Sequence, residues 1–166
     1  MARRRGGSAL GKVLGFLVIV IMIVMIVGAI LMFFVAPSAD KVESKYKADD
    51  DNVSVLVADN IDGGIIDINA AKIAAAAALF IYGYKNDTVV DGVTETATIT
   101  YSVKDGDKTI TYSAIVIYFK NISDANKARD GVKDKVKEDG KIAMFRGKAL
   151  VLGDKKAALK YYAVLF

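Results

Sequence analysis

Hydrophobic and polar positions divide this chain into two unlike parts. From Val13 to Ala36 no residue is charged, and Phe16 to Val27 is an unbroken apolar run. A helix over that stretch reaches about 36 Å, more than the roughly 30 Å of a bilayer's hydrocarbon core, so 13–36 is expected to be a transmembrane helix. Signal-peptide apolar regions run only about 7–15 residues. Neither Phe34-Val35-Ala36 nor Pro37-Ser38-Ala39 offers a good small-x-small cleavage site. The pattern therefore reads as an uncleaved signal anchor. Pro37 is the single proline and stops the helix. Residues 37–52 read as a polar stalk ending in Asp49-Asp50-Asp51, and 53–166 as a folded domain.

Within the domain the period changes repeatedly. Val53 to Ala58 reads as a strand, and Asp59 to Gly64 as a loop. Ile65 to Tyr84 carries an Ala-rich helix, too short in its apolar part for a second span and expected to be buried on most sides. The clearest signal is strict alternation. Val93, Ala97, Ile99, Tyr101 and Val103 interleave with Thr94, Thr96, Thr98, Thr100 and Ser102, and a second strand runs from Lys108 to Lys120. With Asp105-Gly106 as the turn, Tyr101 faces Ile110, Ile99 faces Tyr112 and Ala97 faces Ala114, leaving a hydroxyl face open to solvent. A short strand at Thr88–Val90, turning through Asp91-Gly92, is an alternative that would add a hairpin.

Farther on, Ser123 is placed to cap a helix over 124–138, with Ala125, Ala128, Val132 and Val136 at helical spacing. Residues 142–145 and 148–152 read as two short strands about Arg146-Gly147, or as one bent strand. Asp154 then caps a last helix with an apolar stripe of Leu159, Tyr162 and Phe166. The expected class is α+β: an antiparallel sheet with helices packed on one face, its order matching the ferredoxin-like βαββαβ arrangement.

Charge changes the picture at one place. Arg3, Arg4, Arg5 and Lys12 precede any acidic residue and account for the whole formal net charge of +4. The domain is formally neutral, which removes the case for nucleic acid. Residues 1–12 read as a basic cytoplasmic tip, and the basic residues ahead of the span favour a cytoplasmic N-terminus.

Candidate chemistry is sparse. The sequence has no histidine and no cysteine, so the usual general base, the thiol nucleophile and nearly all zinc sites are excluded. The glutamates are Glu43, Glu95 and Glu138. No metal or cofactor site is expected, because Asp59, Asp62 and Asp67 about Gly63-Gly64 depart from EF-hand spacing. Three Asn-x-Ser/Thr triplets begin at Asn52, Asn86 and Asn121. They are candidate glycosylation sites, expected to share one membrane-proximal edge of the sheet. Gly11 and Gly15 form a G-x-x-x-G pair at the edge of the span.

Arg3-Arg4-Arg5-Gly6-Gly7, the long apolar helix and the α/β head loosely resemble type IV pilin-like proteins over the first 36 residues. That resemblance implies a filament subunit. The sequence departs from it at Lys12, which would be the fifth residue after cleavage at Gly7, where such proteins usually carry a glutamate. The leading expectation is a single-pass, membrane-anchored extracytoplasmic interaction or assembly module without catalytic activity. Its expected partners are the lipid bilayer and either another envelope or membrane protein or a second copy, with the C-terminal stripe and open sheet edges as contact surfaces. The alternatives are the pilin-like subunit and a membrane-bound enzyme or ligand binder using carboxylates.

Overall fold

The computed structural model describes residues 9–49, 52–61, 68–84 and 87–164. Helix α1 (Ala9–Phe34) contains the uninterrupted apolar stretch, and its segment Val13–Ile30 has a mean hydropathy of 3.3 with none of it covered by the rest of the chain. Among the described residues it is the one helix long and apolar enough to cross a membrane. It ends before Ala36, as the backbone restriction ahead of Pro37 requires.

The segment expected to be a stalk is instead part of the fold. Ser38 accepts a hydrogen bond from the Lys41 amide at 3.3 Å and so starts helix α2 (Ala39–Asp49). Ala39, Val42 and Tyr46 fall on one face of α2 and are buried against the sheet. Burial of Val42 and Tyr46 contributes on the order of 2 kcal/mol each. The domain therefore begins near Ser38, and the polar residues of the segment are simply the outer face of an amphipathic helix.

The strands are β1 (Val53–Ile61), β2 (Ile68–Asn69), β3 (Val93–Asp105), β4 (Lys108–Phe119), β5 (Ile142–Arg146) and β6 (Ala149–Gly153). They form a sheet in the order β2-β1-β3-β4-β6-β5. Three further helices, α3 (Ala70–Ile81), α4 (Ile122–Glu138) and α5 (Lys155–Tyr162), connect or follow them. Residues Asp87–Gly92 form a 3-10 turn, not the alternative strand.

Among the described residues every strand pairing is antiparallel. The ferredoxin-like expectation is thereby corrected, since a split βαβ unit needs a parallel pair. Helices also cover both faces, not one. Face one carries α2 and α5 over Ala97, Ile99, Val116, Tyr118 and Val151. Face two carries α3 and α4 over Val93, Ile117, Phe119, Leu150 and Leu152. The Thr-rich face of β3 is not open to solvent either: Thr96 is buried, and α3 crosses β1 and β3 on that side.

The hairpin register differs by two residues from the expected one. Tyr101 pairs with Tyr112, Ile99 with Ala114 and Asp105 with Lys108, so Gly106-Asp107 form the turn. Gly106 takes φ +60° and, among the described residues, no non-glycine residue has positive φ. A glycine at the first central position is the type II′ requirement, whereas an Asp105-Gly106 type I′ turn would place Asp105 in the left-handed region. A two-residue shift keeps each side chain on its face.

A single substitution separates the packed helix from a solvated stalk. Val42→Asp is expected to unfold the domain or lower its melting temperature by well over 10 °C, read by circular dichroism of the detergent-solubilised chain. A stalk residue would tolerate it unchanged.

Candidate functional site

The sheet has two different ends. At one lie the β3–β4 turn, the start of β1 and the end of β6. At the other, where α1 arrives, lie the start of β3, the end of β4 and the β5–β6 turn. Here α1 meets the domain directly. Gly147, at φ +56°, turns β5 into β6, and a Cβ on it would come within 2.4 Å of the Phe34 carbonyl oxygen. Only glycine fits this contact.

A cleft of about 410 Å³ opens between the α1–α2 connection and the strand ends, lined by Phe34, Pro37, Glu95, Tyr118, Lys120 and Lys148 among others. Glu95 reaches it because the β3 ladder is irregular between Val93 and Glu95. The extra residue turns Val93 to face two while Glu95 stays with Ala97 and Ile99 on face one. Desolvation raises the Glu95 pKa, with the Ala39 amide hydrogen bond working against it and Asp59 and Asp40 adding repulsion. Its carboxylate is thus committed to the start of α2.

Deeper on face one, Arg146 is fully buried; its Nη1 donates to the Val164 carbonyl at 2.9 Å, and its guanidinium lies 5.9 Å from the centre of the Tyr161 ring. Burial pushes the Tyr118 and Tyr161 hydroxyls well above the ordinary phenol range, while the Arg146 charge opposes this. Tyr46 donates to the Lys160 carbonyl at 2.6 Å, and Lys45 to that of Ala163 at 2.9 Å. These bonds hold α2 and α5 together. Asp154 stands at the α5 N-cap position but makes no side-chain cap bond. Its carboxylate instead accepts from the Ser113 amide at 2.9 Å and pairs with Lys141.

The third feature is the outward side of α3. Ala71, Ala75 and Leu79 face the sheet, but Ile73, Phe80 and Ile81 point away, so that Leu79 is 1% exposed and its neighbour Phe80 is 77% exposed. Leu56 on β1 is also exposed. The expectation that this helix is buried on most sides is corrected: apart from Lys72 it is apolar on both its inward and outward sides, yet covered on one.

The sequence-derived candidates scatter. Asn52 is exposed at the β3–β4 turn end, where its carbonyl accepts from the Ser102 amide at 2.9 Å. Asn121 lies at the opposite end, following Phe119, so the two do not share an edge. Asn121, rather than Ser123, caps α4, accepting from the Asp124 amide at 2.9 Å and donating to its carboxylate at 2.8 Å. Asp59 is exposed opposite Glu95. Among the described residues no group of three or more potential metal ligands occurs. Asn86, Asp50, Asp51, Asp62, Asp67 and Phe166 lie outside the described residues. On α5 Ala157, Ala158 and Tyr161 are buried and Tyr162 is half-buried against the same core, Val164 is buried just after the helix, and Leu159 points outward. Of the expected C-terminal stripe, Tyr162 packs against the core and Leu159 does not.

Compared with family models, curated proteins and solved structures, the chain matches none.

The charge of Glu95 gives a pH test. Its folded pKa lies above the unfolded value, so the folded domain binds the extra proton between the two, and stability falls as pH rises through that window. Glu95→Gln, which still accepts from Ala39, is expected to melt higher than wild type at pH 7. The gain should vanish below the unfolded carboxylate pKa. Melting curves from pH 3 to 8 check this; a loss at pH 7 would show the charge itself to be stabilising.

Proposed function

We propose that this protein is a membrane-anchored interaction module, held by α1 in a bilayer with its N-terminal tip in the cytoplasm and its domain outside. It works by contact and not by catalysis. The observation that carries the reading is the outward stripe of α3. Ile73, Ala77, Phe80 and Ile81 recur at helical spacing, and the exposed apolar surface is on the order of 500 Å², the upper end of what a monomer ordinarily leaves open. Side chains on this scale at the centre of a patch are typical anchors of a protein contact.

The favoured occupant is a second copy in the same membrane. Helix α3 runs from the α1 end of the sheet, where β2 joins β1, to the opposite end, where Ile81 and Tyr82 approach Ser113 and Asp154. Two copies related by a two-fold axis along that direction pack α3 against α3 in parallel and leave both α1 helices pointing the same way. Pairing β1 edge to β1 edge would instead be antiparallel and point the two anchors in opposite directions. The small side chain of Ala77 lets the helices approach closely, and confinement to one membrane raises the effective concentration.

The absence of native cysteine makes the test clean. In native membranes, Ala77→Cys is expected to give an oxidant-dependent dimer of the full-length chain, and Phe80→Glu added to it to abolish the dimer. A cross-link only to a different protein would sink the second-copy assignment while keeping the interaction surface. No cross-link to any protein would sink both.

A further inference from the structure

We infer that the α1 end of the domain holds a glycerophospholipid with an anionic headgroup, an assignment that rests on α1 lying in a bilayer. Two concavities meet there. One is the cleft already described. The other is an apolar groove of about 410 Å³ lined by Ile26, Ala29, Ile30, Phe34 and Phe145. Phe34 lines both, so a hollow that carries Glu95, Lys120 and Lys148 adjoins an apolar channel at the last residue of α1. This is the outline of a lipid: acyl chain along the helix, headgroup in the cleft.

The chemistry of each part fits its place. Ile26, Ala29 and Ile30 are at i, i+3 and i+4, one face of α1, and Phe145 of β5 stands opposite them. Phe145 is 37% exposed and Met144 beside it 44%, an apolar edge turned outward from the sheet. The Arg129 guanidinium lies 4.8 Å from the centre of the Phe145 ring and fixes that side chain.

At the mouth of the cleft stand Lys120 and Lys148. The Phe119 amide donates to the Lys148 carbonyl at 2.9 Å, which brings the two lysines to adjacent strand ends. Both are exposed, and among the described residues neither forms an ion pair. Lysines at the end of a span extend to the headgroup layer and attract anionic lipid. The cleft's own carboxylate, Glu95, is turned to the Ala39 amide. Asp40 and Asp59 bear on Glu95 from α2 and β1.

The chain has no tryptophan, so single reporters can be placed without background. Three full-length variants in nanodiscs serve: I19W within α1, F145W in the groove and F80W on outward α3. The probes are a nitroxide-labelled phosphatidylglycerol and its phosphatidylcholine counterpart. Emission from I19W is expected to be quenched by both lipids and that from F80W by neither. The F145W emission is expected to be quenched by both, several-fold more by phosphatidylglycerol. Lys120→Gln and Lys148→Gln should each reduce that preference by about fivefold.

Quenching of I19W without F145W overturns the lipid site and leaves the anchor standing. An unquenched I19W overturns the anchor itself. Equal quenching of F145W by the two lipids, indifferent to the lysine variants, overturns the anionic assignment. Relief of the preference by inorganic phosphate would give the lysine pair to free phosphate and overturn the lipid assignment as well.

Discussion

The fold depends on β4 having two apolar faces. Ala114, Val116 and Tyr118 point to one side and Ile117 and Phe119 to the other, all buried. A strand of that kind cannot sit at an edge or on a half-solvated sheet. It must be flanked by partners, here β3 and β6, and roofed on both faces. Two helices are therefore needed on each side, and the chain supplies them from four separate places: α2 and α5 above, α3 and α4 below. Drafting α2 into the first pair binds the residues just after α1 to the sheet, which leaves the apolar helix directly attached to the domain.

Much of this was legible in the sequence where local period and turn chemistry agree. The β3 and β4 strands, α4 with its buried Ala125, Ala128, Val132 and Val136, and the strands about Gly147 all follow from spacing. What misled was average polarity. Residues 38–49 look solvated, although Ser38 in front and the Ala39, Val42, Tyr46 spacing mark an amphipathic helix. Ala114 to Phe119 are apolar at consecutive positions, the mark of a strand buried on both faces and hence of a second layer of helices.

The candidate sites were less legible, for reasons that can be named. Glu95 falls in the apolar register of β3, between Val93 and Ala97, and a lone charge there is the available signal of a bulge and a cleft. Arg146 looks like a turn residue because it precedes Gly147, whereas pairing with Ala149 puts it inside face one. The outward stripe of α3 could not be told from its buried one, because both are apolar; only the position of the sheet separates Leu79 from Phe80. Asn121, which begins one of the triplets, also provides the cap to α4.

The two ends and the α3 side of the domain thus have different chemistry. The α1 end combines apolar surface with lysines, α3 offers an apolar stripe running away from it, and the β3–β4 turn at the far end is polar. The proposed anchored module, meeting lipid with one surface and protein with another, would account for all three. The most direct test is sidedness, measured in intact cells with a membrane-impermeant maleimide on single-cysteine variants of the full chain. Thr109→Cys, at the far end of the hairpin, should label at once, and Ser8→Cys only after the membrane is opened. Labelling of Ser8→Cys alone in intact cells would invert the account, and equal labelling of both would remove the membrane from between them.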